Sequence, residues 1–146
     1  MANPRIAQGT INQIRGSIVV PNNTNLNITA PQLGKGKIAI RFTGQTASLI
    51  LTATGAVQSP EPYVIVEVTA NILKTTGMAQ AYRGQTELNT SLGEIRVVTD
   101  TSALQDYTFS NCAIVSVGDL PLDGTAVEQR ITIQGIYYIN SDMWNA

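Results

Sequence analysis

Histidine is absent from the 146 residues of this chain. With it go the side chain that titrates nearest neutrality, every histidine-assisted serine or cysteine nucleophile, and most zinc chemistry. Cysteine occurs once, as Cys112, which excludes an internal disulfide and a cysteine-based metal site. Cys112 lies in a strand-like run between Asn111 and Ala113 and reads as a small packed side chain rather than a nucleophile. Charge is scarce too: Asp, Glu, Lys and Arg supply 13% of residues, against roughly 25% in ordinary soluble domains. Thr, Ser, Asn and Gln take their place, giving a surface that is polar yet easily desolvated. A net charge of -1 provides no basic footprint for sequence-specific nucleic-acid binding and little self-repulsion to keep copies apart.

The absences continue at the level of motifs. The first ten residues contain no apolar signal segment, so a cytosolic product is expected, and the sequons at Asn22, Asn27 and Asn89 are read as chance. Gly34-Lys35-Gly36-Lys37 lacks P-loop spacing and is followed by a strand, so it reads as a basic turn. The carboxylates Glu94, Asp100 and Asp106, and Asp119 with Asp123, fall at turns, where Asp belongs, and are read as structural rather than as a glycosidase pair. No calcium-loop spacing is present. The chain is therefore expected to be no enzyme and to carry no cofactor or metal.

What is present is strand. Residues 16–34, 42–60, 107–118 and 131–141 contain no charged side chain. Soluble proteins guard strand edges with Lys, Glu or Pro, because a bare edge recruits further strands. Such runs are expected to be covered by other copies of the same protein. In 37–43, Ile38, Ile40 and Phe42 alternate with small or polar residues, the mark of a half-buried strand. Ile14, Ile18 and Val20 suggest an earlier strand, and Leu26 with Ile28 a short one after a turn. Residues 48–54 follow a Gly44-Gln45 turn, so 42–60 forms a projecting hairpin, and 63–68 continues the series. From 69 to about 88 the spacing of Ile72, Leu73, Ala79 and Tyr82 predicts one amphipathic helix, starting near Thr69 or Asn71, with Gly84 as a possible stop.

Three strands come after it. They are 93–99, then 107–117 with Tyr107, Phe109, Ala113, Val115 and Val117 on one face, then 127–140 with Val127, Ile131, Ile133, Tyr137 and Ile139 on one face. The Pro and Asp-Gly signals in 118–124 predict a hairpin between the last two. Tyr137 and Tyr138 must point to opposite faces, one to the core and one to an interface, and Trp144 is either tucked under the helix or offered to a partner. The expectation is a single mainly β domain spanning 1–146, an antiparallel β-sandwich or partial barrel with one flanking α-helix.

Residues 62–68, Pro-Tyr-Val-Ile-Val-Glu-Val, running into Asn-Ile-Leu-Lys-Thr at 71–75 resemble the tail tube proteins of contractile-tailed bacteriophages. The likeness extends through 92–100, Leu-Gly-Glu-Ile-Arg-Val-Val-Thr-Asp, through 107–114, Tyr-Thr-Phe-Ser-Asn-Cys-Ala-Ile, then Asp123-Gly124, and through 131–140, Ile-Thr-Ile-Gln-Gly-Ile-Tyr-Tyr-Ile-Asn. It rests on order and spacing together and covers most of the chain. The resemblance implies a structural virion subunit, assembled in the host cytoplasm, that forms homohexameric rings stacked into a hollow tube. Double-stranded DNA would pass through it without specific binding. Tail sheath, baseplate or terminator proteins would be its partners, with no membrane. A tube subunit of a bacterial contractile injection device is an alternative setting.

Closure of an inner barrel would then remove the bare edges. Phe42, Gly44, Leu49, Leu51, Val57, Ser110, Thr132, Gln134, Tyr138 and Trp144 are assigned to self-assembly. Because lysine or arginine in the channel would hold phosphates at every ring, a mainly neutral polar or acidic lumen is expected. Lys37 and Arg41 must then face outward to a sheath or pair with acids of a neighbour such as Glu128. Two rival classes remain. A glycan-binding β-sandwich would need exposed aromatics around a concave site, and a small outer-membrane barrel would need two aromatic girdles, which so few aromatics cannot build.

Overall fold

A computed structural model describes residues 16–75, 77–99, 104–118, 122, 125 and 127–144. Their strands are β1 (Gly16–Val19), β2 (Leu33–Thr43), β3 (Ala47–Leu51), β4 (Ala56–Pro60), β5 (Tyr63–Leu73), β6 (Ser91–Thr99), β7 (Tyr107–Val117) and β8 (Glu128–Tyr138). Helix α1 (Met78–Leu88) follows β5, a four-residue turn of helix α2 (Ser141–Trp144) follows β8, and two 3-10 turns, Thr24–Leu26 and Ala30–Gln32, lie between β1 and β2. Six strands form one antiparallel sheet in the order β1-β6-β7-β8-β5-β2, and β3 with β4 forms a separate hairpin. The mainly β fold with one flanking α-helix is thus as expected.

Period-two alternation builds the core. Along β5, Val64, Val66, Val68, Ala70 and Ile72 are buried while the residues between them are not. In register with them on β8 stand Tyr137, Gly135, Ile133, Ile131 and Gln129. These side chains meet Ile18 and Val20, Leu92, Ile95 and Val97 of β6, and Phe109, Cys112 and Ile114 of β7, in one cluster. The sheet must curl to enclose them. Between β2 and β7 lie two strands, so flat spacing would put them about 14 Å apart, yet the rings of Phe42 and Tyr107 are 6.0 Å apart. At the outer strands, a Cβ on Gly16 of β1 would lie 3.5 Å from Ile38 Cδ1 of β2. The sheet is a partial barrel filled by its own side chains. Helix α1 packs against β5 and the first 3-10 turn, where the fully buried Tyr82 donates its hydroxyl to the Leu26 carbonyl at 2.8 Å. Burial raises the Tyr82 phenol well above its ordinary range.

Several sequence expectations are corrected. Leu26 is not in a strand: Asn27 Oδ1 accepts from the Val20 amide at 2.7 Å, folding this segment into a turn, and Ile28 meets Ile18 only as an isolated bridge. Residues 69–73 belong to β5 rather than to the helix, because Thr69 to Leu73 stay in register with Thr132 to Glu128 and Ala70 and Ile72 continue the inward alternation. The helix begins only at Met78 and runs through Gly84 to Leu88. On β7 the expected face is broken. One extra residue sits between the pairs Ser110↔Ile136 and Ala113↔Gln134, with Asn111 at φ 54. That bulge turns Cys112 and Ile114 inward, and a second, before Ser116, leaves Val115 exposed. Val127 lies beyond the start of β8 and is exposed, not part of the inner face. Of the expected hairpin segment 118–124, all but Gly118 and Leu122 fall outside the described residues, although β7 and β8 do pair antiparallel.

Candidate self-assembly surface

The charge-free runs 107–118 and 131–141 are not bare edges. They supply β7 and β8, in the middle of the sheet, where each has a partner strand on both sides. Their missing charge is satisfied within one chain, because a central strand offers no edge to guard. The edge strand β2 is guarded: it carries Lys37 and Arg41. At β1, Ile18 exchanges backbone hydrogen bonds of 2.9 and 2.8 Å with Ile28. That leaves the hairpin. Residues 42–60 contain no charge, and the pairs Ala47↔Pro60 to Leu51↔Ala56 form a two-stranded ribbon outside the main sheet.

Hairpin side chains are solvated on both faces. Leu49 is 68% exposed, Leu51 83%, and Ile50 and Val57 more than half. A lone two-stranded hairpin is marginal in water, so what holds it at its root matters. Gly44, at φ 84 with open space where a Cβ would stand, turns the chain from β2 toward β3. Across the root, Asn140 Nδ2 donates to the carbonyls of Thr46 (3.0 Å) and Glu61 (2.7 Å), one on each leg. Asn140 itself adopts φ 54, a conformation that asparagine tolerates better than most residues. One amide therefore ties both legs to the end of β8.

Replacing Asn140 by glycine keeps the positive φ and removes this tie. With about 0.5–1.5 kcal/mol per lost hydrogen bond, hairpin amide exchange in the monomer is expected to speed up about tenfold, while β5 and β8 amides stay unchanged. Hydrogen exchange measured residue by residue checks this, and equal acceleration in β8 would contradict it.

The other assigned residues occupy different places. Phe42 is the penultimate residue of β2, at the mouth of the partial barrel, 47% exposed, with its ring 5.7 Å from that of Tyr137. Ser110, Thr132 and Gln134 lie on the outer face of β7 and β8, paired with Ile136, Ser116 and Ala113 respectively. Gln134 Nε2 donates to Glu67 Oε1 at 2.8 Å, and Glu67 stands in register with Arg41. Lys37 takes φ 53 at an irregularity in β2, and the side chain of Glu128 lies against Gly34 of the same chain, where a Cβ would clash. Tyr138 is exposed beside Tyr63 at the hairpin end of the sheet. Trp144 falls in α2, its side chain outside the described residues. The structure thus brings Gly44, Leu49, Leu51 and Val57 together and leaves Ser110, Thr132 and Gln134 on a separate face. Ile50 belongs with the hairpin group and was missed, although the run Leu49-Ile50-Leu51 signals it.

Two clefts flank the hairpin root. One, of about 370 Å³, is lined by residues including Glu61, Tyr63 and Ile65, and the other, of about 340 Å³, by Leu49, Gln58 and Asn140 among others. Their linings contain one carboxylate, Glu61, and no second acid to work with it. Among the described residues no three His, Cys, Asp or Glu side chains gather as a metal site, and no helix is long and apolar enough to cross a membrane.

No protein-family model matches the chain, and no curated protein does. Among solved structures, it is similar to the anti-feeding prophage cap, a tube terminating cap determined by cryo-EM, with 14% sequence identity and a TM-score of 0.50. The match covers 94% of this chain and 97% of that one, so the two share a fold along nearly their whole length.

Proposed function

We propose that this chain is a structural, non-enzymatic subunit of a contractile phage tail. In this reading it forms homohexameric rings that stack into a hollow tube in the host cytoplasm, joins the virion, and passes double-stranded DNA without binding it specifically. Sheath, baseplate or terminator proteins would be its partners, and an injection device is the alternative setting. The observation that carries the reading is the fold shared end to end with a protein named for terminating a tube. The uncharged, exposed hairpin supports it, since such a ribbon gains most by being covered.

A second reading, that the chain is itself a terminating cap, is favoured by the neighbour's own role. Electron microscopy of the concentrated protein separates the two. Tubes of indefinite length identify a tube subunit, single rings that never stack identify a cap, and a persistent monomer counts against both.

A further inference from the structure

Three segments meet at the hairpin root. The Gly44-Gln45 turn leads in from β2, Glu61 leads out of β4 toward β5, and Asn140 follows β8. The Glu61 amide donates to the Thr46 carbonyl at 3.0 Å, the Ile139 amide to the Pro62 carbonyl at 3.1 Å, and the Asn140 side chain joins the carbonyls of Thr46 and Glu61. These bonds fix Gln45 and Glu61 as the sides of the open cleft of about 370 Å³. Its floor is the outer face of β5, where Tyr63 and Ile65 are each 48% exposed. Tyr138, 65% exposed, pairs with Tyr63, so a second ring stands beside the first on the same face.

The lining selects by charge and by hydrogen-bond polarity. Glu61 is its one charged side chain, with no Lys or Arg beside it, so a phosphate or carboxylate ligand would be repelled. Arg41, on the same face, stands opposite Glu67, two residues beyond Ile65. Acceptors predominate: the Glu61 carboxylate only accepts, and the Thr43 hydroxyl already donates to the Ile65 carbonyl at 2.7 Å, which leaves its oxygen to accept. A fitting ligand therefore carries donors along its edge and an apolar face for the tyrosine ring. A cation would meet Glu61 but no cage, because paired tyrosines on a pleated sheet stand side by side and do not enclose a charge. A protein partner needs roughly 20–30 residues a side, whereas the apolar block of Tyr63, Ile65, Ile136 and Tyr138 gives way within one row to Arg41, Glu67 and Gln134. A sugar ring, with C–H groups on its face and hydroxyls on its edge, satisfies both conditions.

We infer that this cleft binds a neutral saccharide. One ring lies on Tyr63, its hydroxyls donating to Glu61 and Thr43 and exchanging hydrogen bonds with Gln45, and a second ring of an oligosaccharide reaches Tyr138. The site provides the exposed aromatics around a concave surface that glycan recognition requires, and it does not depend on the chain's forming a tube. Because the bonds across the root set its sides before a ligand arrives, little ordering accompanies binding. The cleft is shallow and one hexose presents about 12 non-hydrogen atoms, so a dissociation constant of about 1 mM is expected.

Saturation-transfer NMR on the whole chain tests this with three neutral tetrasaccharides, cellotetraose, maltotetraose and chitotetraose. Choline serves as the cationic control, and electron microscopy of the same samples records assembly. At least one tetrasaccharide is expected to give a signal that is lost in Tyr63→Ala and kept in Tyr63→Phe. Glu61→Gln is expected to weaken its affinity about fivefold, and Leu88→Ala, at an exposed position ending α1, to leave it unchanged. Silence from all three tetrasaccharides overturns the site, as does a signal that survives Tyr63→Ala or is unmoved by Glu61→Gln with the thermal melt intact. Choline binding tighter than any tetrasaccharide, and lost in Glu61→Gln, overturns it in favour of a cation site. Tubes without a saccharide signal overturn the site and leave the tube reading standing, while a signal from a persistent monomer keeps the site and counts against the tube.

Discussion

Replacing Phe109 by alanine is expected to lower the free energy of unfolding by about 3–5 kcal/mol, the largest single-residue effect anticipated here. Phe109 is fully buried. Its ring stacks on Tyr107 at 6.1 Å and meets the Tyr137 ring edge-on at 5.6 Å, at 83°. Truncation removes a large apolar area and leaves a void that the two flanking strands, β6 and β8, cannot fill, because the register of β8 against β5 is fixed along its whole length. Phe42→Ala provides the internal comparison. That ring touches the same cluster but is half-exposed, so about 1–2 kcal/mol is expected from the smaller area it hides. Urea denaturation of both variants orders the two effects. Equal costs would mean that the cluster at the barrel mouth is not organised around Phe109.

Gly135→Ala is expected to cost about 3 kcal/mol, at the upper end of overpacking penalties, through a neighbour that can be removed. Gly135 faces the interior opposite Val66. A methyl there would collide with Cys112 Sγ and come within 3.3 Å of the Ser110 carbonyl. Cys112→Ala deletes the colliding sulfur, so the double variant should recover at least ~1 kcal/mol relative to the sum of the single changes. If the two costs simply add, the strain comes from the backbone near Ser110 instead. Cys112 enters as a packing atom, for burial pushes its thiol up to about 11 and keeps it protonated near neutrality. Only Gly lets β8 pass this close to the inward-turned Cys112.

Strand positions were largely legible because alternation was long and regular: β5 and β8 keep period two over eleven residues each. The same regularity misled at 69–73, where Ile72 and Leu73 also fit a helical period, and only pairing with β8 decides between them. The β7 face was not legible, since a bulge is written by one residue at positive φ, Asn111, and asparagine is common in strand turns without one. Missing charge was the subtler case. A run without Lys or Glu is compatible with a central strand and with a bare edge, and sequence does not show which neighbours a strand will have. Of the four runs, 42–60 is the one whose strands β3 and β4 lie outside the main sheet. The hairpin itself was legible from the Gly44-Gln45 turn and the charge-free run 42–60. Its tie was not, because Asn140 lies 94 residues from Thr46.

The β5–β8 ladder has a mechanical consequence. Its eleven consecutive pairs, Tyr63↔Tyr138 to Leu73↔Glu128, run from the hairpin end of the molecule to the opposite end. A pull along these strands loads every rung in shear at once, whereas a pull across them would peel the rungs one after another. Tension entering at the hairpin passes along the backbone from β4 into β5 and is borne by the whole ladder, so the two hydrogen bonds of the Asn140 tie are expected to yield before the sheet does.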